Sequence, residues 1–450
     1  MQNRVLIKDL KNHIDSEVQV AGWVDVRRDH GKLIFLVVRD RSSKVQAVVH
    51  AAAEQAFKEA DATKEESVIK MKAFVKKRPE KMIKADEENG DIELEILGVE
   101  VLSNAQALPF DKDAELNIET HFDHLPLTLR KDKYQDIFKV QATAVQAFRE
   151  TLRDADFTEF QAPAIVGGDA EGGAGVFKLE YFKEQDAFLA TSPQLYKQMM
   201  VGVFERVFST GKVFRAEKHA TTRHLSEYTS LDFEMGFIED HQDVMQMLEN
   251  VVRRMVQEAQ KLPLKVLSED AQSVKLPDTA FPQMKLKDAQ ELILKETGKD
   301  VRGKPDLEPE DERFLCKYAN EHLGSDFIFI THYPTQKRPF YTYEDENDPG
   351  FTKSFDLLFR GLEISTGGQR IHDYEKLKNN IEKWGLDPNK FDFYLQAFKY
   401  GLPPHGGVGM GLERFTAKLL NIKNVKEATL FPRDMTRIDL PLSKTQEDDK

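Results

Sequence analysis

The sequence predicts an α+β protein of two unlike parts: a small five-stranded β-barrel, then a larger, largely antiparallel sheet flanked by helices. Three observations carry this. The first hundred residues form short alternating runs of strand character, interrupted by a single helical segment. Residues 134–155 switch to apolar positions at helical spacing. Beyond them, strand-like runs outnumber the βαβ alternations that a doubly wound sheet requires. Hydrophobic residues make up 40% of the 450 and charged ones 31%, which supplies a real core and excludes disorder for the bulk of the chain.

The barrel strands are VQVAGWVDV, KLIFLVVRD and KVQAVVH within residues 18–50, separated by the turn-like RRDHG and RSS. A helix near 52–60 follows, then MKAFVKK and DIELEILGVEVLS with a polar loop at 80–91 between them. Five strands with a helix between the third and fourth is the arrangement of an oligonucleotide-binding (OB) barrel, over residues 1–103. Such barrels read single strands by stacking bases on aromatics and bonding their edges, which draws attention to Phe35 and Gln46. The segment IFLVV is apolar at both parities, so a place for Phe35 in the core fits the pattern equally well. Seven Lys/Arg against one acid, Glu80, between 70 and 84 read as a solvated face or as a phosphate-facing rim.

Residues 104–133 have little periodicity and two prolines, and read as a hinge or linker. The second domain, 134–450, opens with the long helix, which runs into FTEFQAPAI, a short strand ended by Pro163. Strands are expected at 187–190, 206–215, 228–238, 326–333, 355–365 and 404–410. Helices are expected at 192–202, 240–260, 309–322, 374–384, 389–399 and 411–420.

A single cysteine, Cys316, excludes an internal disulfide and a thiolate metal site. No run of about 20 apolar residues exists to span a membrane, and the charged N-terminus lacks the apolar middle of a signal peptide. These features fit a reducing, cytoplasmic setting. The net charge of −13, from 64 basic and 77 acidic residues, argues against nonspecific coating of nucleic acid but leaves one folded RNA at a local basic surface open. Neither GxxxxGK[ST] nor a strand-linked GxGxxG occurs, so those two kinds of nucleotide site are unsupported.

Charged residues gather in three other places. VFRAEKHATTRHLSEYTSLDFEMGF, 213–237, alternates Arg215 with Glu217 and Asp232 with Glu234 on two strands joined by a polar loop. Strands carrying so many ionisable groups either bind something or form cross-strand ion pairs in solvent. GGVGMGLERF, 406–415, ends a strand and opens a helix with Arg414 in its first turns, a good seat for phosphate. SFDLLFRGLEISTGGQR, 354–370, alternates Asp356, Glu363 and Arg370 with apolar neighbours; two carboxylates beside a phosphate site suit magnesium rather than zinc, with a structural ion-pair network as the alternative.

The first two of these segments, with the long helix and strand before them, resemble in chain order the three signature motifs of class II aminoacyl-tRNA synthetases: the long helix and strand ending at Pro163, then FRAE with its loop and RH, then GMGLER. TSPQLYKQ (191–198), EGG (171–173) and GGQRIHDY (367–374) bring the resemblance close to aspartyl-tRNA synthetases of the archaeal and eukaryotic type. It runs from AGWVDVRRDHGKLIF to LFPRD and leaves no room for the large extra domain of the usual bacterial type.

The resemblance implies ATP, L-aspartate and tRNA(Asp) as substrates, Mg2+ as cofactor, and a homodimer built on the first motif. By it, Lys197 and Arg370 hold the aspartate side chain, while Glu171, Gln194 and Asp232 receive its ammonium group. Arg215 holds the α-phosphate and the attacking carboxylate; Glu217 and Tyr228 take the adenine. Arg223, His224 and Leu225 lie around ATP, and Arg414 clamps the γ-phosphate beside Gly411, Leu412 and Glu413. Glu363 and Thr366 bind magnesium with help from Asp356, and Thr366 also borders aspartate. Arg28, Phe35 and Gln46 match the anticodon-reading positions. An asparaginyl enzyme shares all three motifs, but the ammonium of Lys197 suits a carboxylate and gains little from an amide. A lysyl enzyme would have Lys197 and Arg370 repel its substrate. A paralogue without the charging activity would often lack the barrel or the motif arginines, and both are present. Whether tRNA(Asn) is also charged is left open by the residues near the third anticodon base, Asp25 and Met82.

Overall fold

Alternating burial along short strands builds the first unit, Met1–Leu116. In the computed structural model, which describes residues 4–168, 175–217 and 221–442, it contains β1 (Glu17–Asp29), β2 (Leu33–Arg39), β3 (Lys44–His50), α1 (Glu54–Asp61), β4 (Val68–Lys77) and β5 (Ile92–Ser103). The strands close into a barrel in the order β1-β2-β3-β5-β4. Ile34, Leu36 and Val38 of β2 and Val45, Ala47 and Val49 of β3 fill the interior. Phe35, one residue out of phase, therefore faces outward, half-buried. A bulge between Val24 and Val26 bends β1 as the barrel closes.

The second unit, Asn117–Lys450, holds the larger sheet. It begins with α2 (Ile118–Asp123), α3 (Leu125–Thr128), α4 (Asp132–Asp154), β6 (Thr158–Glu159), β7 (Ile165–Val166), β8 (Lys178–Tyr181), β9 (Gln185–Leu189) and α5 (Gln194–Phe204). Next come β10 (Arg206–Phe214), β11 (Glu227–Gly236), α6 (His241–Gln260), α7 (Ser268–Gln272), β12 (Gln283–Lys285), α8 (Leu286–Thr297) and α9 (Pro309–His322). It ends with β13 (Phe327–Thr331), β14 (Ser354–Phe359), β15 (Leu362–Gln369), α10 (Tyr374–Lys383), α11 (Asp392–Lys399), β16 (His405–Gly411) and α12 (Leu412–Leu419). The eight-stranded sheet runs β12-β13-β14-β15-β16-β11-β10-β6 and is antiparallel except at its edges, where β12 joins β13 and β6 joins β10 in parallel. The apolar stripes of α4, α6 and α12 cover one face, with Phe148, Val252 and Phe415 fully buried.

Four details depart from the expectations. The 104–133 segment contains α2 and α3, too short for a helical period to register, with the Asn117 side chain capping α2 by accepting from the Thr120 backbone N–H at 2.9 Å. The strand expected at 355–365 is two strands, turned at Arg360 and Gly361 with φ of 46° and 78°. Of FTEFQAPAI only Thr158 and Glu159 join the large sheet, Pro163 bringing no N–H to a ladder; its last residue, Ile165, opens β7, which joins β9 and β8 in a separate small sheet. The helix α8 was absent from the expectations, although Leu286, Ala289 and Ile293 repeat at helical spacing up to a left-handed Gly298. No described helix is long and apolar enough to cross a membrane.

Candidate active site

Strands β11, β15 and β16 run side by side in the middle of the sheet, and residues along them line a cavity of about 530 Å³. Gln194, Lys197, Arg215, Glu217, Arg223, His224, Leu225, Tyr228, Asp232, Glu363, Thr366, Arg370, Gly411, Glu413 and Arg414 all line it. Segments more than two hundred residues apart in sequence thus meet in one pocket. Asp356 and Leu412 lie behind the wall. Leu412 packs its side chain into the main core and does not line the cavity. Glu171 lies outside the described residues.

The floor of the pocket is a buried four-membered charge cluster. Lys197 Nζ donates to Asp232 Oδ1 at 3.0 Å and to the Val408 carbonyl at 2.7 Å, and lies 3.5 Å from Glu234 Oε2. Arg370 Nε donates to Glu234 Oε1 at 2.9 Å, and its Nη2 to the Gly407 carbonyl at 2.8 Å. Burial opposes ionisation of Glu234, yet Arg370 and Lys197 overcome it and hold its carboxyl below the usual range. Two cations and two anions balance, which is what makes such burial tolerable. Gly407 has to be glycine here: a Cβ would stand 2.1 Å from Glu234 Oε2 and equally close to the Phe233 carbonyl. Gln194 begins α5 almost fully buried with its amide Nε2 unpartnered, a group that a polar ligand can satisfy.

Around the rim, Arg215 directly follows β10, its N–H donating to the Ser226 carbonyl at 2.9 Å and its guanidinium 5.8 Å from the Tyr228 ring centroid. Arg414 Nη1 donates to the Glu363 carbonyl at 3.2 Å, which aims this helix-borne arginine back across the cavity. Arg223 is ion-paired with Glu312 of α9, whose carboxyl is raised chiefly by burial. Glu413 accepts the Thr229 backbone N–H through both oxygens at 2.9 and 3.0 Å. A Cβ on Gly411 would meet nothing nearer than the Arg414 side chain at 3.8 Å, so space for a ligand is open there.

Glu363 and Asp356 form the acidic side. Thr366 Oγ1 donates to Glu363 Oε1 at 2.9 Å, and Asp356 lies opposite Thr366 in the β14–β15 register. Burial works against ionised Glu363, but Arg414, Thr366, Arg338 and Arg215 together lower it. Asp356 is raised to about 6 by burial and by Glu363, with Arg338 pulling the other way at 2.7 Å. Its Oδ1 is buried and has no hydrogen-bond partner. Among the described residues no three His, Cys, Asp or Glu gather as a metal cage. Two carboxylates and a hydroxyl fit a hard cation that keeps water and phosphate oxygens as its other ligands.

Residues 117–435 match the family described as tRNA synthetases class II (D, K and N), and residues 18–102 match the OB-fold nucleic acid binding domain. The chain is a class II tRNA synthetase of this family.

Among relatives, the aspartate–tRNA(Asp/Asn) ligase of Thermus thermophilus is 43% identical, covering 97% of this chain and 99% of its own length. The aspartate–tRNA(Asp) ligase of Pyrococcus furiosus is 40% identical over 94% of this chain and 95% of its own. Of solved structures, asparaginyl-tRNA synthetase from Pyrococcus horikoshii in complex with asparaginyl-adenylate superposes with a TM-score of 0.89 at 33% identity, covering 98% of this chain and 100% of that one. Aspartyl-tRNA synthetase from Entamoeba histolytica gives 0.84 at 28%, covering 97% and 92%.

The synthetase pocket also holds residues that sequence reasoning passed over. Lys337 and Arg338 line it, Arg338 lying 3.9 Å over the ring of Tyr333. A pair of cations in QKRPF, in the turn after the wholly buried β13, was the available signal. Glu234 was placed on the right strand, but its bond to Arg370 is not visible in sequence. In the barrel, Arg28 pairs with Phe35 across β1–β2, and Gln46 pairs with Val37 across β2–β3, so Arg28, Phe35 and Gln46 share one outer face. Gln46 Nε2 donates to Glu93 Oε2 at 2.5 Å. Asp25 is buried among Arg39, Lys44 and Lys112, whereas Met82 is 65% exposed.

Proposed function

We propose that this synthetase couples ATP to the attachment of L-aspartate to tRNA(Asp) through an aspartyl-adenylate. The observation that carries the amino-acid assignment is the pair of buried cations, Lys197 and Arg370, at the floor of the pocket. An arginine has five donors, and Nε and Nη2 of Arg370 are those committed to the protein, so Nη1 is left for a substrate carboxylate. Asp232 and Gln194 then receive the ammonium group, with Glu171 completing that set. A neutral amide side chain would leave the cations less well matched, which separates aspartate from asparagine on a fold that both kinds of enzyme share.

The substrate supplies the nucleophile. An oxygen of its α-carboxylate attacks the α-phosphorus of ATP, pyrophosphate leaves, and a hydroxyl of the terminal tRNA ribose then takes the aspartyl group and releases AMP. Arg215 stabilises charge that builds at the α-phosphate, and Arg414 holds the γ-phosphate, so catalysis is positioning and electrostatics. Glu217 and Tyr228 seat the adenine, and Arg223 and His224 close over the phosphates. Glu363, Thr366 and Asp356 would hold magnesium, which neutralises phosphate charge when bound. Arg28, Phe35 and Gln46 read the anticodon, Phe35 by stacking.

Charging of tRNA(Asn) as well is the second reading, favoured by the names of the relatives from Thermus thermophilus and Deinococcus radiodurans, 43% and 44% identical. A homodimer in the cytoplasm completes the proposal. The small sheet after the first motif offers apolar surface for pairing, with Phe182 79% and Ile165 50% exposed. Pyrophosphate exchange with aspartate, asparagine and lysine in turn tests the substrate. Exchange with aspartate is expected; exchange with asparagine alone overturns it.

A further inference from the structure

Directly behind the two floor cations lies a chain of hydrogen bonds that the mechanism does not use. Lys197 and Gln198 are successive residues of α5, so their side chains diverge by about 100°. Lys197 enters the pocket and Gln198 turns away from it. Tyr394 Oη on α11 donates to Gln198 Oε1 at 3.0 Å; Gln198 Nε2 lies 3.0 Å from His405 Nε2; His405 Nδ1 lies 2.9 Å from the Pro403 carbonyl. A carbonyl can only accept, so Nδ1 carries the proton. Burial depresses the ring to about 4 although Glu234 opposes this, so the ring is neutral and Nε2 accepts from the amide. The Tyr394 hydroxyl, one N–H of the Gln198 amide and the His405 Nδ1–H then each have an acceptor. Gln198, Tyr394 and His405 have no solvent exposure at all, so water cannot substitute for a lost member.

The chain ends where the cations are braced. The His405 carbonyl accepts the Arg370 N–H at 2.9 Å, and the next residues of β16 offer the Gly407 carbonyl to Arg370 and the Val408 carbonyl to Lys197. We propose that Tyr394, Gln198 and His405 are positioning residues: they lock α5 to the start of β16 and thereby set the spacing of Lys197 and Arg370 for a dicarboxylic amino acid. This rests on the aspartate reading above and adds to it the part of the protein that tunes the site without touching substrate.

The test compares Tyr394→Phe and Gln198→Leu with wild type in pyrophosphate exchange, titrating aspartate and ATP separately. The KM for aspartate is expected to rise roughly threefold for Tyr394→Phe and tenfold or more for Gln198→Leu, as for one and two buried hydrogen bonds. The kcat and the KM for ATP stay within about twofold, because Arg215 and Arg414 are braced elsewhere. Equal rises in both KM values, or a lowered Tm with an unchanged aspartate KM, would show these residues to be filler and overturn the proposal. If Gln198→Leu fails to fold, Tyr394→Phe, which keeps its ring, decides alone. A wild type silent with aspartate but active with another amino acid would remove the reading itself and the relay's purpose with it, a result distinct from failure of the variants.

Discussion

Lys197 Nζ stands 3.0 Å from Asp232 Oδ1 with both side chains almost wholly out of water. An ammonium held this way is fixed in place before any substrate arrives. It also cannot be removed without leaving Asp232 and Glu234 short of a counter-charge.

Lys197→Met should therefore abolish aspartate-dependent pyrophosphate exchange while ATP binding, followed by calorimetry, is retained. Breaking a buried pair costs about 3–5 kcal/mol, so the variant should also unfold at lower denaturant. Retained exchange would contradict the assignment of the floor cations.

Phe35→Ala should weaken aminoacylation by about 1–3 kcal/mol, the worth of one base stack, and leave adenylate formation untouched. Phe35 faces out from the barrel, so stability should change little. Equal losses in both steps would place its role in folding.

The acidic side of the pocket makes a pH-dependent statement. Burial and Glu363 raise Asp356 from 3.8 to about 6, so ionising it costs the folded protein stability as pH climbs through that interval. A divalent cation relieves this cost only where the carboxyl is ionised. The increase in Tm that magnesium adds to the complex with a nonhydrolysable ATP analogue should be larger at pH 7.5 than at pH 5, and Glu363→Gln should erase most of it. Equal increments at both pH values would argue against these ligands.

Asp25 behaves oppositely. Burial opposes its charge, but Lys112 at 2.7 Å and Lys44 at 2.9 Å bring its carboxyl down to about 2. Its stabilisation is complete above the unfolded value of 3.8 and fades as pH falls towards 2. Asp25→Asn should cost about 1 kcal/mol at pH 7, allowing for solvent screening of a partly exposed cluster, with the gap to wild type closing on acidification. A constant gap in denaturant melts across that range would assign the loss to packing.

The fold was largely legible because local chemistry and tertiary demand agree. Pro309 in the first turn of α9, between Glu308 and Asp311 of the capping box, marks a helix start that packing does not override. The site was legible as motif residues but not as a machine. Asp232 and Glu234 share a strand face by simple alternation, while the pairing of Glu234 with Arg370 spans 136 positions and exists only in the folded sheet. Phe35 could not be assigned a face from IFLVV; closure of the barrel around Ile34, Leu36 and Val38 decides it.

Aminoacylation with labelled aspartate, on separately purified tRNA(Asp) and tRNA(Asn), tests the central claim most directly. Aspartate should be transferred to tRNA(Asp), and transfer to tRNA(Asn) as well would select the relaxed reading. Charging with asparagine and not with aspartate would contradict the account.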